Sequence, residues 1–220
     1  MRAVIFAHGD LTSPQATLEA LLPDDFIIAA DGGAKHCSKL GITPDLVIGD
    51  FDSLTKDELE KLQNAGAQII RHPASKDETD LELAFRQAQQ MGIEEVLVFG
   101  ALGFRWDMSI ANLLLLAHSD FQHLRITCLN GPQILKLLSS GKKLEVQGQP
   151  GDTVSLIPIG GDSRGITTHG LEYSLKRGTL RLGTTRGISN VLQNNRASIE
   201  LEDGLLLVVL IHRNPNDTHK

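Results

Sequence analysis

At 220 residues the chain is long enough to bury a large core, as one domain or as two of modest size. A formal net charge of -6, with no run of Lys or Arg, excludes a nucleic-acid or anionic-membrane surface as the main partner. Its 2 cysteines, Cys37 and Cys128, stand far apart in no metal-ligand spacing, which excludes a disulfide framework or a zinc site and suits a reducing compartment.

The first apolar run, residues 3–7, stops at His8-Gly9 and is too short for the core of an export signal, and no later run approaches membrane length. The expectation is a cytoplasmic protein. Further short apolar runs follow at 26–30, 46–48, 68–70, 96–99 and 124–129. Helix-like segments lie between them, clearest over 55–65 and 79–91, with acidic residues gathered at their starts. Continuous apolar runs alternating with helices predict a doubly wound, mainly parallel, Rossmann-like sheet covered on both faces. Ligands of such sheets bind at the carboxyl ends of the strands.

From about Leu138 the rhythm changes to short β segments with Gly, Pro and Asp turns: 143–146, 153–158, 165–168, 173–175, 179–182, 197–201 and 205–211. Strands this closely spaced predict an antiparallel β-sandwich. The expected division is therefore an α/β domain over 1–139, a β-sandwich over 140–213 and a disordered tail over 214–220.

Five stretches carry residues suited to chemistry. After the second run, Ala30-Asp31-Gly32-Gly33-Ala34 is a Gly-rich turn into a helix, a place where backbone can approach phosphate or ribose. The same residues also suit a plain turn capped by Asp31. The third run delivers Ile48-Gly49-Asp50-Phe51-Asp52-Ser53. Residues two apart in an extended chain point the same way, so Asp50 and Asp52 face one side and call for a cation. All-oxygen ligands with room for water suit Mg2+ better than zinc, and Mg2+ held by few carboxylates usually shares phosphate.

Lys76-Asp77-Glu78-Thr79-Asp80 opens the long helix, with Asp77 and Asp80 three apart on one face. Acid groups in a first turn also simply complement the helix dipole. Position lets Asp80 join Asp50 and Asp52 as a third metal carboxylate, and lets Lys76 pair with a phosphate. Gly103-Phe104-Arg105-Trp106-Asp107 follows the fifth run, where Arg105 suits forked contact with phosphate and Asp107 offers another carboxylate. A surface ion pair or helix cap explains the same residues. Trp106, the single tryptophan, reads as core packing. In the β half, Ser189 and Asn190 of Gly187-Ile188-Ser189-Asn190 could contact a small heteroaromatic ligand, or form a long turn.

Taken in this order, the five motifs resemble those of the thiamine pyrophosphokinase family, over about residues 3–210. The resemblance implies an N-terminal α/β domain that binds ATP and Mg2+ and carries catalysis, and a C-terminal β-sandwich that contributes to thiamine binding and dimerisation. It further implies a homodimer with shared active sites and transfer of pyrophosphate from ATP, as co-substrate, to thiamine with release of AMP. By that likeness Asp50, Asp52 and Asp80 hold Mg2+. Together with Arg105 and Asp107 they form the catalytic set. Asp31, Gly32, Gly33, Lys76, Asp77, Thr79 and Arg105 meet ATP, and Ser189 and Asn190 meet thiamine. The family usually reads Gly-Gly-Arg-x-Asp-His where this chain has Phe104 in place of a glycine and Met108 in place of the histidine. Two alternatives share most of these residues: a pyrophosphokinase acting on a pterin alcohol, and a nucleotide-binding regulatory module without turnover.

Overall fold

The structure, a computed structural model, describes residues 1–213, so the tail expected over 214–220 lies outside the described residues. It divides into two compact units, at Gly131 and Pro132.

In the first unit six apolar runs form strands: β1 (Arg2–Phe6), β2 (Phe26–Ala30), β3 (Leu46–Gly49), β4 (Gln68–Arg71), β5 (Glu95–Phe99) and β6 (Arg125–Asn130). Every pairing among them is parallel, in the order β6-β5-β1-β2-β3-β4. Parallel strands need crossover connections, and helices supply them: α1 (Pro14–Ala20), α2 (Ala34–Leu40), α3 (Lys56–Asn64), α4 (Asp80–Gln90) and α5 (Trp106–Leu115). β1 buries Ala3, Val4, Ile5 and Phe6 alike, because a sheet covered on both faces leaves no side of a central strand for water. Strand order runs outward from β1 to β4, then restarts on the other side of β1 with β5. That reversal opens a crevice beyond the carboxyl ends of β1 and β5.

Local sequence sets the helix starts. Thr55 and Glu58 form a reciprocal capping box on α3, with Thr55 N donating to Glu58 Oε2 at 2.8 Å. Thr79 caps α4 by accepting from Glu82 N at 3.2 Å. Because the cap falls there, Lys76–Thr79 is a non-helical lead-in, and the expected shared helical face of Asp77 and Asp80 does not form.

The second unit holds β7 (Gln133–Ser139), β8 (Lys142–Gln147), β9 (Thr153–Pro158), β10 (Ser163–His169), β11 (Gly178–Leu180), β12 (Asn190–Val191), β13 (Arg196–Leu201) and β14 (Leu205–Ile211). Antiparallel pairing gives one sheet ordered β12-β9-β14-β7 and another ordered β11-β10-β13-β8. Alternate residues of both, among them Val154, Leu156, Ile199, Leu206 and Val208, meet in one core, as a sandwich requires. β7 pairs with β14 along its whole length, so this strand belongs to the second unit, whereas a boundary at 139/140 would leave it in the first. The expected strand at 173–175 is absent. That backbone is instead held by side chains, with Tyr173 N and O both bonded to Asn190 and Leu175 N donating to Thr168 Oγ1.

Candidate active site

Beyond the sheet, the chain leaving β1 runs beside the chain leaving β5. Ala7 N donates to Phe99 O at 2.8 Å, Gly9 N to Gly100 O at 2.8 Å and Asp10 N to Leu102 O at 2.7 Å. The turn after β2 packs as tightly: a Cβ on Gly33 would lie 1.8 Å from Phe6 O, so only glycine fits. These ends surround a cavity of about 400 Å³. A larger cleft of about 480 Å³ lies at the opposite ends of the strands. There Arg2 is already paired with Asp25, and no cluster of ligand groups comparable to that of the carboxyl ends appears among the described residues.

Three carboxylates converge at the carboxyl ends of β2 and β3. Oxygens of Asp31, Asp50 and Asp52 lie within 4.8 Å of one another. Asp31 is buried with φ 44°, and its Oδ1 has no hydrogen-bond partner. Phe51, between the other two, has φ 65°. A left-handed backbone at two non-glycine residues costs on the order of 1–2 kcal/mol each, and here it aims the carboxylates inward. Gly49 makes room: a Cβ there would sit 2.9 Å from Asp31 Cβ. Arg71 braces the loop, donating from Nη1 to Asp50 O at 2.8 Å with its guanidinium 4.7 Å from the centre of the Phe51 ring.

Asp52 is oriented in turn. Ser53 Oγ donates to its Oδ1 at 3.0 Å, and Asp52 N donates to Asp50 Oδ1 at 3.1 Å. His8 Nδ1 lies 3.4 Å from the same Ser53 Oγ. Three converging carboxylates with a buried unbonded oxygen fit a hard divalent cation, for which all-oxygen donors are the matching set.

Asp80 reaches the same strand end but is shared with a cation of the chain itself. Lys76 Nζ lies 2.8 Å from Asp80 Oδ1 and 3.7 Å from Asp50 Oδ2. Burial raises the Asp80 pKa, and the charges of Asp31 and Asp50 add to that while Lys76 opposes it. The group of three is thus completed by Asp31, with Asp80 beside it as a fourth carboxylate.

The α5 entry loop closes the cavity. Ser109 Oγ accepts from Gly103 N at 3.0 Å, and Asn112 Nδ2 donates to Ala101 O at 2.7 Å, so the helix spends its buried side on polar groups that hold the loop. Trp106, Ile110 and Leu114 are therefore turned outward. Trp106, expected in the core, is 78% exposed, and Phe104 is 93% exposed. Arg105 lines the cavity but pairs with Asp107, Nε to Oδ1 at 3.3 Å, and both are exposed, so Asp107 stays outside the carboxylate cluster. Gly32 lies against the His8 ring, Asp77 is exposed, and the Thr79 hydroxyl serves as a helix cap.

Ser189 and Asn190 belong to the second unit. Ser189 has φ 58° with an exposed side chain, and its N donates to Ser155 Oγ at 3.0 Å. Asn190 Oδ1 accepts from Tyr173 N at 3.0 Å and Val191 N at 2.9 Å, and its Nδ2 donates to Tyr173 O at 2.8 Å. Sequence reasoning passed over His8, Asp10, Ser53, Arg71 and Asn112. For His8 and Asp10 the signal was available, since they directly follow the first apolar run, at a strand end where ligands of such sheets bind.

Residues 19–128 match the family model described as "Thiamin pyrophosphokinase, catalytic domain", and residues 142–206 match "Thiamin pyrophosphokinase, vitamin B1 binding domain". The chain is 28% identical over 182 residues to a thiamine pyrophosphokinase of Bacillus subtilis (strain 168), with 83% of this chain and 85% of that protein covered. It is 30% identical over 206 residues to thiamine pyrophosphokinase 1 of Oryza sativa subsp. japonica, with 83% and 77% covered. Among solved structures, thiamine pyrophosphokinase from Bacillus subtilis superimposes with a TM-score of 0.85 at 25% identity, covering 97% of this chain and 100% of that one. The thiamin pyrophosphokinase from Geobacillus thermodenitrificans gives 0.83 at 25% identity, with 98% and 99% covered.

Proposed function

The chain belongs to the thiamine pyrophosphokinase family, and on that premise we propose that it transfers the terminal pyrophosphoryl group of ATP to the hydroxyl of thiamine, releasing AMP. The observation that carries this reading is the convergence of Asp31, Asp50 and Asp52 at the strand ends, inside the segment that matches the catalytic-domain model. The family match also supports thiamine over a pterin alcohol, and turnover over nucleotide binding alone.

Asp50 and Asp52, with Asp31 and Asp80 beside them, are the residues that would hold Mg2+. When bound, Mg2+ supplies charge neutralisation and Lewis-acid polarisation at phosphate oxygens. Ser53 keeps the Asp52 carboxylate turned inward, and Arg71 keeps the Asp50–Asp52 loop from relaxing outward. Lys76 and Arg105 provide cationic donors for charge developing on the transferred group, the main need in phosphoryl transfer. The alcohol oxygen attacks the β-phosphorus and gives up its proton to a carboxylate of the cluster, the bond from that phosphorus to the α–β bridging oxygen breaks, and AMP leaves with the electron pair of that bond. Asp31, Gly32, Gly33, Asp77 and Thr79 complete the proposed nucleotide contacts, and Ser189 and Asn190 the proposed thiamine contacts. Asp107 serves through its pair with Arg105.

The proposal includes a homodimer with shared sites and a cytoplasmic setting, the latter supported by two buried free thiols, Cys37 and Cys128. Incubation with ATP, Mg2+ and thiamine should yield thiamine diphosphate and AMP on chromatography. ADP with thiamine monophosphate would show an ordinary kinase instead. Asp50→Asn and Asp52→Asn should each lower turnover by about a hundredfold or more while circular dichroism stays unchanged. Mixing Asp52→Asn with Asn190→Ala, under demonstrated subunit exchange and at thiamine concentrations where each alone is inactive, should return about a quarter of full activity if sites are shared across a two-fold axis. No recovery would assign the site to one chain or remove Asn190 from it.

A further inference from the structure

An almost fully exposed phenylalanine on a braced loop calls for a partner. Phe104 lines the cavity that holds the carboxylates, and its ring is 93% exposed. Leaving such a side chain in water forgoes the stabilisation that burial of an aromatic ring would return. Its loop is not loose: Gly103 is bonded through N and O to Ser109 Oγ, at 3.0 Å and 3.2 Å. The ring is therefore presented from a fixed support.

Its neighbour across the backbone is acidic. A Cβ on Gly103 would lie 3.0 Å from Asp10 N, so the chain carrying Asp10 runs against the residue just before Phe104. Asp10 lines the same cavity, is exposed, and its carboxylate has no hydrogen bond or ion pair among the described residues. The other charges at this cavity are Asp31, Asp50, Asp52 and Asp80 against Arg105, which is paired with Asp107, and Lys76, which lies between Asp80 and Asp50. An aromatic face and an unpaired carboxylate lining one cavity, where carboxylates outnumber cationic side chains, make a receptor for an organic cation. A nucleotide base is neutral and gains nothing from that excess. Of the two substrates, only the acceptor carries a permanent positive charge, on its thiazolium ring.

We propose that Phe104 and Asp10 form the recognition site for the cationic ring of the acceptor alcohol, with Phe104 as the specificity-determining residue. This rests on thiamine being the acceptor.

The test is calorimetric titration of the purified protein, with Mg2+ and an unreactive ATP analogue present, using thiamine as the probe, together with KM for both substrates. Phe104→Leu keeps bulk and removes the aromatic face. It should weaken thiamine binding roughly fivefold to thirtyfold and leave ATP affinity within about twofold, the span of a cation–π contact at 1.4 kcal/mol per tenfold. Phe104→Tyr should restore binding, and Asp10→Asn should weaken thiamine selectively. Thiamine affinity unchanged in Phe104→Leu, or equal losses for thiamine and ATP, would overturn the proposal. So would a Phe104→Leu protein that binds thiamine normally but dissociates on sizing, which would make the exposed stripe with Trp106, Ile110 and Leu114 a cover for a second copy. A wild-type protein that neither binds nor converts thiamine would overturn the functional reading as well, so the two failures differ.

Discussion

The Lys76 ammonium and the Asp80 carboxylate meet at 2.8 Å across the start of α4. Neither is free in solvent, with side chains 11% and 28% exposed. Burial works against the Lys76 charge, yet its bonds and charge interactions with Asp80 and Asp50 outweigh that and raise its pKa. Lys76→Met should therefore strand Asp80 beside Asp31 and Asp50. The expected result is a stability loss of about 1–3 kcal/mol in chelator, read by denaturant melts. The rise in Tm on adding Mg2+ should grow, because less native positive charge competes for the carboxylates. Turnover should fall by at least about tenfold, since one cationic donor to the transferred group is gone. An unchanged melt in chelator would mean that the pair contributes nothing to the fold.

Asp31 separates backbone from carboxylate in a second prediction. Its φ of 44° favours glycine, and its buried Oδ1 lies unbonded beside two like charges. Asp31→Gly relieves both costs but adds unfolded-state freedom, so stability without Mg2+ should stay within about 1 kcal/mol of wild type or rise. Asp31→Ala keeps the φ cost and should be the less stable of the two. Both should lose about a hundredfold or more in turnover and much of the Mg2+-induced rise in Tm. Substantial activity in Asp31→Gly would leave Asp50, Asp52 and Asp80 as the working set.

The contrast between these residues shows what the sequence could convey. Asp50 and Asp52 were legible because a two-residue spacing at the end of an apolar run fixes their direction without knowledge of the rest of the fold. Asp31 was legible as a turn residue and, through the family resemblance, as a nucleotide contact, but not as the third carboxylate of the cluster. Its place among the carboxylates depends on φ at 31 and on the absence of a Cβ at Gly49, neither of which spacing encodes. The lead-in 76–79 was read as helix because acidic residues favour a first turn and an N-terminal approach alike; the Thr79 cap decides between them. Trp106 was misassigned for a related reason. Composition says that α5 should bury its apolar residues, but Ser109 and Asn112 take the inner side to hold the loop. The six parallel strands and most of the sandwich strands followed directly from runs of apolar residues, while β7 was hidden by a change of rhythm that begins inside it.

The second unit should lose stability in acid through Asp152. This carboxylate is buried, which alone would raise its pKa, but N–H groups of Arg213 at 2.9 Å and Gln149 at 2.8 Å, with His212, outweigh burial and hold it below the usual range. A depressed folded pKa means that the contribution is fully present above the unfolded value, near 3.8, and is lost as pH falls through the folded value. Melting temperature measured from neutral pH downward should therefore drop below about pH 4. Asp152→Asn should already be less stable by about 1–3 kcal/mol at neutral pH and should show a flatter acid limb. Parallel acid limbs for the two proteins would assign the acid sensitivity to other carboxylates.

Asn190 is the residue whose structural bonds compete with its proposed contact to thiamine. Its Oδ1 already accepts two N–H groups and its Nδ2 donates to Tyr173 O, so one amide hydrogen is left for a ligand. Ser189, next to it, has an exposed side chain and keeps its backbone bond to Ser155 whatever its side chain is. Asn190→Ala should accordingly cost about 1–3 kcal/mol of stability by leaving the Tyr173 backbone unpaired, and should raise the thiamine KM by loosening the loop. Ser189→Ala should leave stability within about 0.5 kcal/mol and act on the thiamine KM alone. Asn190→Asp decides between support and contact. It keeps both acceptor bonds but sets a negative charge against the Tyr173 carbonyl, so a loop-support role predicts a loss of stability with thiamine KM rising in step. If Asn190→Asp melts like wild type and still loses thiamine binding, the amide touches the substrate directly.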